Sequence, residues 1–275
     1  MQGKIALVTG ASRGIGRGIA QELGMAGATV IITGRSRDDT RTDGLPGTVE
    51  NAAKLVTEAG GLGVPVFCDH TEDRDVEELA RYVKETFARV DILVNNVWGG
   101  YEQYDHEIWQ LPFWEQPVWR WDKMLETGVR AHYTTSRVIV PLMLEAQSPL
   151  IINVSAGDNG KYLGDIQYDV AKNAVDRLGF ALSKALKKHG ITALTIHPGF
   201  TRTERVIDTA AKDALTDSHS PRFVGRAVVA LAKDPEVQRR SGGVFKVGQL
   251  GLDYNFQDVD GSQPKPFEIP DGYGE

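Results

Sequence analysis

Thr9-Gly10-Ala11-Ser12-Arg13-Gly14-Ile15-Gly16 is the stretch on which the fold turns. It follows an apolar run at 5–8 and leads into a helical pattern at 17–25, so strand, glycine-rich turn and helix come in that order. Glycines at such a junction let backbone N–H groups approach a pyrophosphate at the helix N-terminus, where unpaired N–H groups and the helix dipole favour negative charge. The spacing is Gly-x-x-x-Gly-x-Gly, not the commoner Gly-x-Gly-x-x-Gly of dinucleotide folds. Gly10, Ser12, Arg13, Gly14, Ile15 and Gly16 are therefore candidate cofactor contacts.

Outward from this turn, strand-like runs at 29–33, 64–68, 91–94, 150–154, 191–196 and 244–247 alternate with helical stretches at 48–59, 73–88, 121–146, 168–188 and 221–232. Such alternation predicts an α/β, Rossmann-type doubly wound parallel sheet of about seven strands with helices on both faces. A single domain is expected over 1–250, with substrate loops at 98–121 and 199–220. The tail at 251–275 is rich in Pro, Gly and Asp and is expected on the surface or against a neighbouring subunit.

The net charge of -6 over 275 residues disfavours nucleic acid or an anionic membrane as partner. The one cysteine, Cys68, ends an apolar run and reads as a core thiol, and it rules out an intramolecular disulfide or a cysteine-rich metal site. The six histidines lack ligand spacing, so no metal is expected and His70 reads as structural. No apolar run approaches the roughly 18 residues of a membrane span, and the first residues run straight into a strand; a cytoplasmic protein without membrane insertion is expected.

The second strand ends at Gly34-Arg35-Ser36-Arg37. An acidic residue there would accept hydrogen bonds from the ribose of NAD, whereas arginine suits the 2′-phosphate of NADP. Arg13 and Arg35, with the Ser36 hydroxyl, are placed to clamp that phosphate through planar donor forks, so NADP(H) is the expected cofactor.

Tyr168-Asp169-Val170-Ala171-Lys172 puts a phenol and an ammonium four apart on one helix face. A phenol ionises near pH 10, and a cation at about 4 Å in an effective dielectric of about 20 favours the phenolate by roughly 4 kcal/mol, or about three pKa units. Ser155 closes the preceding strand, thirteen residues earlier.

Taken with the glycine turn, Asn95-Asn96 and Pro198-Gly199-x-x-x-Thr203, this set resembles the short-chain dehydrogenase/reductase family over roughly 3–250. The resemblance implies an alcohol/carbonyl oxidoreductase acting on a small molecule, commonly a homodimer or homotetramer. In it Ser155 orients the carbonyl, Tyr168 gives the proton in reduction, and Lys172 lowers the phenol pKa while holding the nicotinamide ribose. Asp69 and Asn95 would border the cofactor, and Pro198, Gly199, Thr201 and Thr203 would lie beside the nicotinamide. Two departures stand out: Val97-Trp98 replaces the family's Ala-Gly, and Gly128 replaces an Asn that holds a relay water. Gly128, with Phe113-Trp114-Glu115-x-Pro117 and Gly128-Val129-Arg130-x-His132-Tyr133, resembles the dehydrogenase/reductase member 1 branch.

All five tryptophans, Trp98, Trp109, Trp114, Trp119 and Trp121, fall within 24 residues. They could wall an apolar pocket or meet another subunit; the pocket is expected, lined by Trp98, Tyr101, Trp109, Trp114 and Phe200. The weakly patterned 204–220 is expected as a substrate lid. The function expected is NADP(H)-dependent reduction of a bulky apolar or aromatic ketone. The alternative is a nucleotide-binding sensor or scaffold of the same fold with little turnover.

Overall fold

A computed structural model describes residues 1–37, 40–158, 160–210 and 214–273. Asp38 and Asp39 of the polar loop and 211–213 of the expected lid lie outside the described residues.

Strands β1 (Ile5–Val8), β2 (Thr29–Gly34), β3 (Leu62–Phe67), β4 (Ile92–Asn95), β5 (Leu150–Val154), β6 (Thr192–His197) and β7 (Val244–Lys246) form one sheet in the order β3-β2-β1-β4-β5-β6-β7. Every neighbouring pair is parallel. Parallel strands are covered on both faces, which is why their sequences are nearly continuous apolar runs. Successive side chains part to opposite sides: Ala6, Val8, Val30 and Ile32 enter one core, while Leu7 and Ile31 enter the other. The first core is closed by α1 (Gly14–Met25), α2 (Val49–Glu58) and α9 (Pro221–Lys233). The second is closed by α3 (Asp73–Phe87) and α6 (Ala131–Met143). Cys68 belongs to this second core, and burial pushes its thiol up to about 12, as an inert core residue requires.

The chain runs outward from β1 to β3, then crosses back to β4, so the strand order reverses between β1 and β4. In open sheets of this kind the crevice beyond the carboxyl ends at that reversal is the ligand site. Asn95 and Asn153 stand opposite each other on β4 and β5, and the Asn95 amide donates at 2.9 Å to both Asn153 Oδ1 and the Ser136 hydroxyl of α6.

Two elements differ from expectation. The long helix over 121–146 is built in three pieces: α5 (Trp119–Leu125), a wider π-type turn at Glu126–Arg130 containing Gly128, and α6. A further helix, α10 (Val247–Asp253), follows β7 directly, where a strand ending at 247 was expected. The tail turns back over the molecule's own cleft. Buried Asp258 accepts from Ser220 N at 2.7 Å at the start of α9, and Ile269 N donates to Asp158 Oδ2 at 2.8 Å. The Lys161 ammonium donates to Ile269 O at 2.8 Å and Asp271 Oδ1 at 2.9 Å. These bonds tie the tail, which is largely exposed, to the body of the molecule.

Candidate active site

A cleft of about 660 Å³ opens at the carboxyl end of the sheet. On one side it is built from backbone. Gly10 has φ +62, and a β-carbon there would lie 2.8 Å from Val97 Cα; at Gly16 one would lie 2.5 Å from Gly10 O and Asn96 Nδ2. The turn therefore stays bare where Gly10 and Gly14 line the cleft. Gly14 N donates at 2.8 Å to the carboxylate of Glu204, which opens α8 (Glu204–Thr209). An anion already sits at the N-terminus of α1, the place where a phosphate is favoured.

Arg13, Ser36 and Thr42 cluster at the outer end. Arg13 donates to the Ser36 hydroxyl and to Thr42 O at 2.9 Å, while its buried Nε has no partner among the described residues. Arg35 also lines the cleft, held by Glu102 and, at 3.6 Å, by Asp69. Asp69 itself is occupied by the Thr71 amide and hydroxyl and does not line the cleft; Cys68 and His70 do. The Thr71 hydroxyl donates to Asp69 Oδ1 at 2.7 Å.

The other side is built from rings. α7 (Ile166–Leu186) starts at Asp165, whose carboxylate caps Tyr168 N at 2.8 Å and pairs at 3.0 Å with fully buried Arg120. Arg120 lies 4.0 Å from the centre of the Trp109 ring, so the aromatic loop is bolted to the helix that carries Tyr168. Tyr101 stacks on Tyr168 at 6.0 Å and Trp98 meets it edge-on at 5.5 Å.

Lys172 Nζ sits 3.5 Å from the centre of the Trp98 ring and 5.4 Å from that of Tyr168. The sequence-based expectation that Lys172 lowers the Tyr168 pKa is corrected here. Burial pushes the phenol up, and the group favouring its ionised form is Tyr101, which hydrogen-bonds it. Burial also lowers Lys172 to about 7, against the charge of Asp176. Ser155, at the end of β5, donates at 2.9 Å to the Lys172 carbonyl and lines the cleft with Tyr168 and Lys172.

The two departures at 97–98 and 128 prove to be one feature. A β-carbon at Gly128 would lie 2.4 Å from Trp98 Cζ3. The indole fills the volume a side chain at 128 would need, and covers the ammonium with its face. A charged amine against an indole is worth about 2 kcal/mol when desolvated.

The sequence profile of the short chain dehydrogenases matches residues 4–214. The chain belongs to the short-chain dehydrogenase/reductase family. Dehydrogenase/reductase SDR family member 1 of Mus musculus is 36% identical over 281 residues, covering 97% of this chain and 87% of the relative. The Homo sapiens protein of the same name is 35% identical over 275 residues, covering 95% and 85%. In three dimensions, a short chain dehydrogenase from Mycobacterium thermoresistibile superposes with a TM-score of 0.81 at 24% identity, over 99% of this chain and 98% of that one. As a short-chain dehydrogenase/reductase, the protein is an oxidoreductase acting between CH–OH and C=O with a nicotinamide cofactor.

Of the residues expected at the site, Gly10, Ser12, Arg13, Gly14, Ile15, Arg35, Ser36, Ser155, Tyr168, Lys172, Pro198, Gly199, Thr201 and Thr203 line the cleft of this oxidoreductase. So do Trp98, Tyr101, Trp109 and Phe200. Trp114 does not: it is 71% exposed and packs on Phe113 at the surface. Asn95 is turned into the sheet and Asn96 takes the cleft-facing place; Gly16 packs beneath the turn. The sequence reading missed Glu102, His197, Glu204 and the tail residues Phe267, Ile269 and Tyr273 as lining groups. His197 could have been noticed, because it immediately precedes Pro198-Gly199.

Proposed function

We propose that the protein reduces bulky apolar or aromatic ketones with NADPH. The observation that carries this reading is the enclosure of Tyr168 by the Trp98 and Tyr101 rings, which leaves apolar surface where a substrate meets the phenol. The bound cofactor supplies the hydride. This chain would hold it with the bare glycine turn for the pyrophosphate, and with Arg13, Arg35 and Ser36 for the 2′-phosphate. The fit is supported by the carboxylate already bound at Gly14 N and by the Arg13 Nε, which has no partner among the described residues.

Ser155 turns its hydroxyl from the Lys172 carbonyl to the substrate oxygen and steadies the charge that develops there. Tyr168, pushed up by burial, is protonated at neutral pH and gives its proton to that oxygen. Lys172 holds the ribose and restores the phenol. The exposed apolar side chains Trp114 and Val118 support assembly as a homodimer or homotetramer, and we place the protein in the cytoplasm.

The test is NADPH consumption across aryl diketones, steroids and small aliphatic ketones. Bulky apolar ketones are expected to be turned over with higher kcat/KM, and NADH to serve poorly. Comparable efficiency with NADH would contradict the roles of Arg13 and Arg35. A second reading, a nucleotide-binding sensor, is supported by the capture of Arg35 by Glu102 and of the Tyr168 phenol by Tyr101. Tight NADPH binding without oxidation across the panel would favour it.

A further inference from the structure

We propose that Asp176 and His197 carry protons between Lys172 and solvent through a second cavity behind α7, so that Tyr168 is recharged from the far side of the cleft. The proposal rests on the reading of Tyr168 as proton donor. Tyr168, Lys172 and Asp176 recur every four residues along α7 and so share one helix face. His197, the last residue of β6, faces the substrate cleft on one side. On the other it lines a separate cavity of about 250 Å³, together with Asp158, Lys161, Asn173, Asp176 and Lys246.

His197 Nε2 lies 3.0 Å from both carboxylate oxygens of Asp176, and Nδ1 lies 3.0 Å from the Gly157 carbonyl. The Gly157 carbonyl and the Asp176 carboxylate both accept, so each ring nitrogen faces an acceptor and a proton at Nε2 is shared between imidazole and carboxylate. The pair is therefore a one-proton store. The other charges around the cavity are matched among themselves: Lys246 donates to Asp158 at 2.5 Å, and Lys161 binds Asp271 at 2.9 Å with Asp158 at 4.0 Å. The His197 ring is buried and the Asp176 carboxylate is one-fifth exposed, so the carboxylate is the solvent-facing member. Lys172, lowered by burial to about 7 and held towards its charged form by Asp176, can lose and regain a proton near neutrality.

The steps balance. Hydride adds to the carbonyl carbon, and the Tyr168 O–H bond breaks as its proton passes to the alkoxide oxygen. The phenolate takes a proton from the Lys172 ammonium. The Lys172 amine takes one from the Asp176–His197 pair, whose Asp176 lies on the same helix face, and the pair takes one from solvent. One proton is drawn in for each hydride transferred.

Two measurements test this. In turnover with NADPH and a reducible aryl ketone, His197→Ala and Asp176→Asn should lower kcat by about tenfold or more while KM for NADPH stays within about twofold. Added imidazole should restore His197→Ala in proportion to its concentration, which repacking alone would not produce. Wild-type kcat in both variants, or a loss in His197→Ala that imidazole leaves unchanged, would overturn the proposal. The second measurement needs no turnover: Lys172 is titrated by NMR in cofactor-free protein carrying ¹³C-methylated lysines. Asp176→Asn should move its midpoint down by about one unit, and an unmoved midpoint would overturn the link. If the wild type reduces no carbonyl, the donor reading fails while this titration still decides the coupling.

Discussion

The two walls of the cleft follow opposite rules. Along the turn into α1 the chain withdraws its side chains: Gly10 and Gly16 leave no room for a β-carbon, and the wall is backbone. Along α7 the chain crowds in, with Trp98 and Tyr101 packed on Tyr168 and Trp98 on the Lys172 ammonium. A wall of backbone suits a ligand whose phosphates recur in every turnover. A wall of rings suits apolar surface that varies between substrates, because packing discriminates by shape. The difference teaches where substitution should be tolerated: on neither wall by volume, but on the aromatic wall by compensation.

The comparison breaks most sharply at the chemistry itself. Tyr168→Phe keeps the ring stacked with Tyr101 and Trp98, so NADPH binding measured by fluorescence should persist while turnover falls by about a thousandfold. An active Tyr168→Phe would remove the donor from this wall. Next in size, Gly16→Ala drives a β-carbon into Gly10 O and Asn96 Nδ2, rigid partners on both sides. A loss of about 1–3 kcal/mol in thermal unfolding is expected, with cofactor binding lost as well.

Gly128→Ala should cost a similar amount through Trp98, yet adding Trp98→Leu should recover much of it, whereas no single partner exchange should rescue Gly16→Ala. Additive effects at 98 and 128 in a double-mutant cycle would dissolve the contrast between the walls.

A pH-dependent effect concerns the charge under the rings. Lys172 ionises at about 7 in the folded protein against 10.5 ordinarily, so between those values the unfolded chain holds a proton that the folded one has released. Stability then rises with pH across that window. Lys172→Met should flatten this slope and melt higher than wild type below pH 7, where the buried ammonium is charged. The smallest change expected is at Arg13→Ala, about tenfold weaker NADPH binding with NADH binding unchanged, read by titration calorimetry.

Much of this was legible in the sequence. The alternation of strands and helices, the glycine turn, and Ser155, Tyr168 and Lys172 are local patterns whose geometry follows from strand and helix periodicity, and the cleft contains them. What escaped depends on contacts between distant segments. Val97-Trp98 and Gly128 were visible as two separate departures, but only packing shows that one fills the space of the other. The same holds for the phenol. Spacing of four brings Lys172 near Tyr168, yet burial, with Tyr101 acting on the phenol and Asp176 on the amine, decides their ionisation. The tail's anchors, buried Asp258 and the ties to Lys161 and Asp158, are long-range and leave no periodic mark. Trp114 was grouped with the other rings by nearness in sequence, and the turn after α4 (His106–Gln110) points it outward.

The fit between Trp98 and Gly128 also has a history written into it. With the indole in place, any side chain at 128 collides; with a smaller residue at 98, the amine loses its aromatic cover while glycine still loosens the helix. Each position blocks the other's route of change, so a descendant lineage can leave this arrangement only by altering both, or through an intermediate weakened in fold or activity. Such a ratchet would make 98 and 128 drift as a pair, and relatives that differ at one should differ at the other.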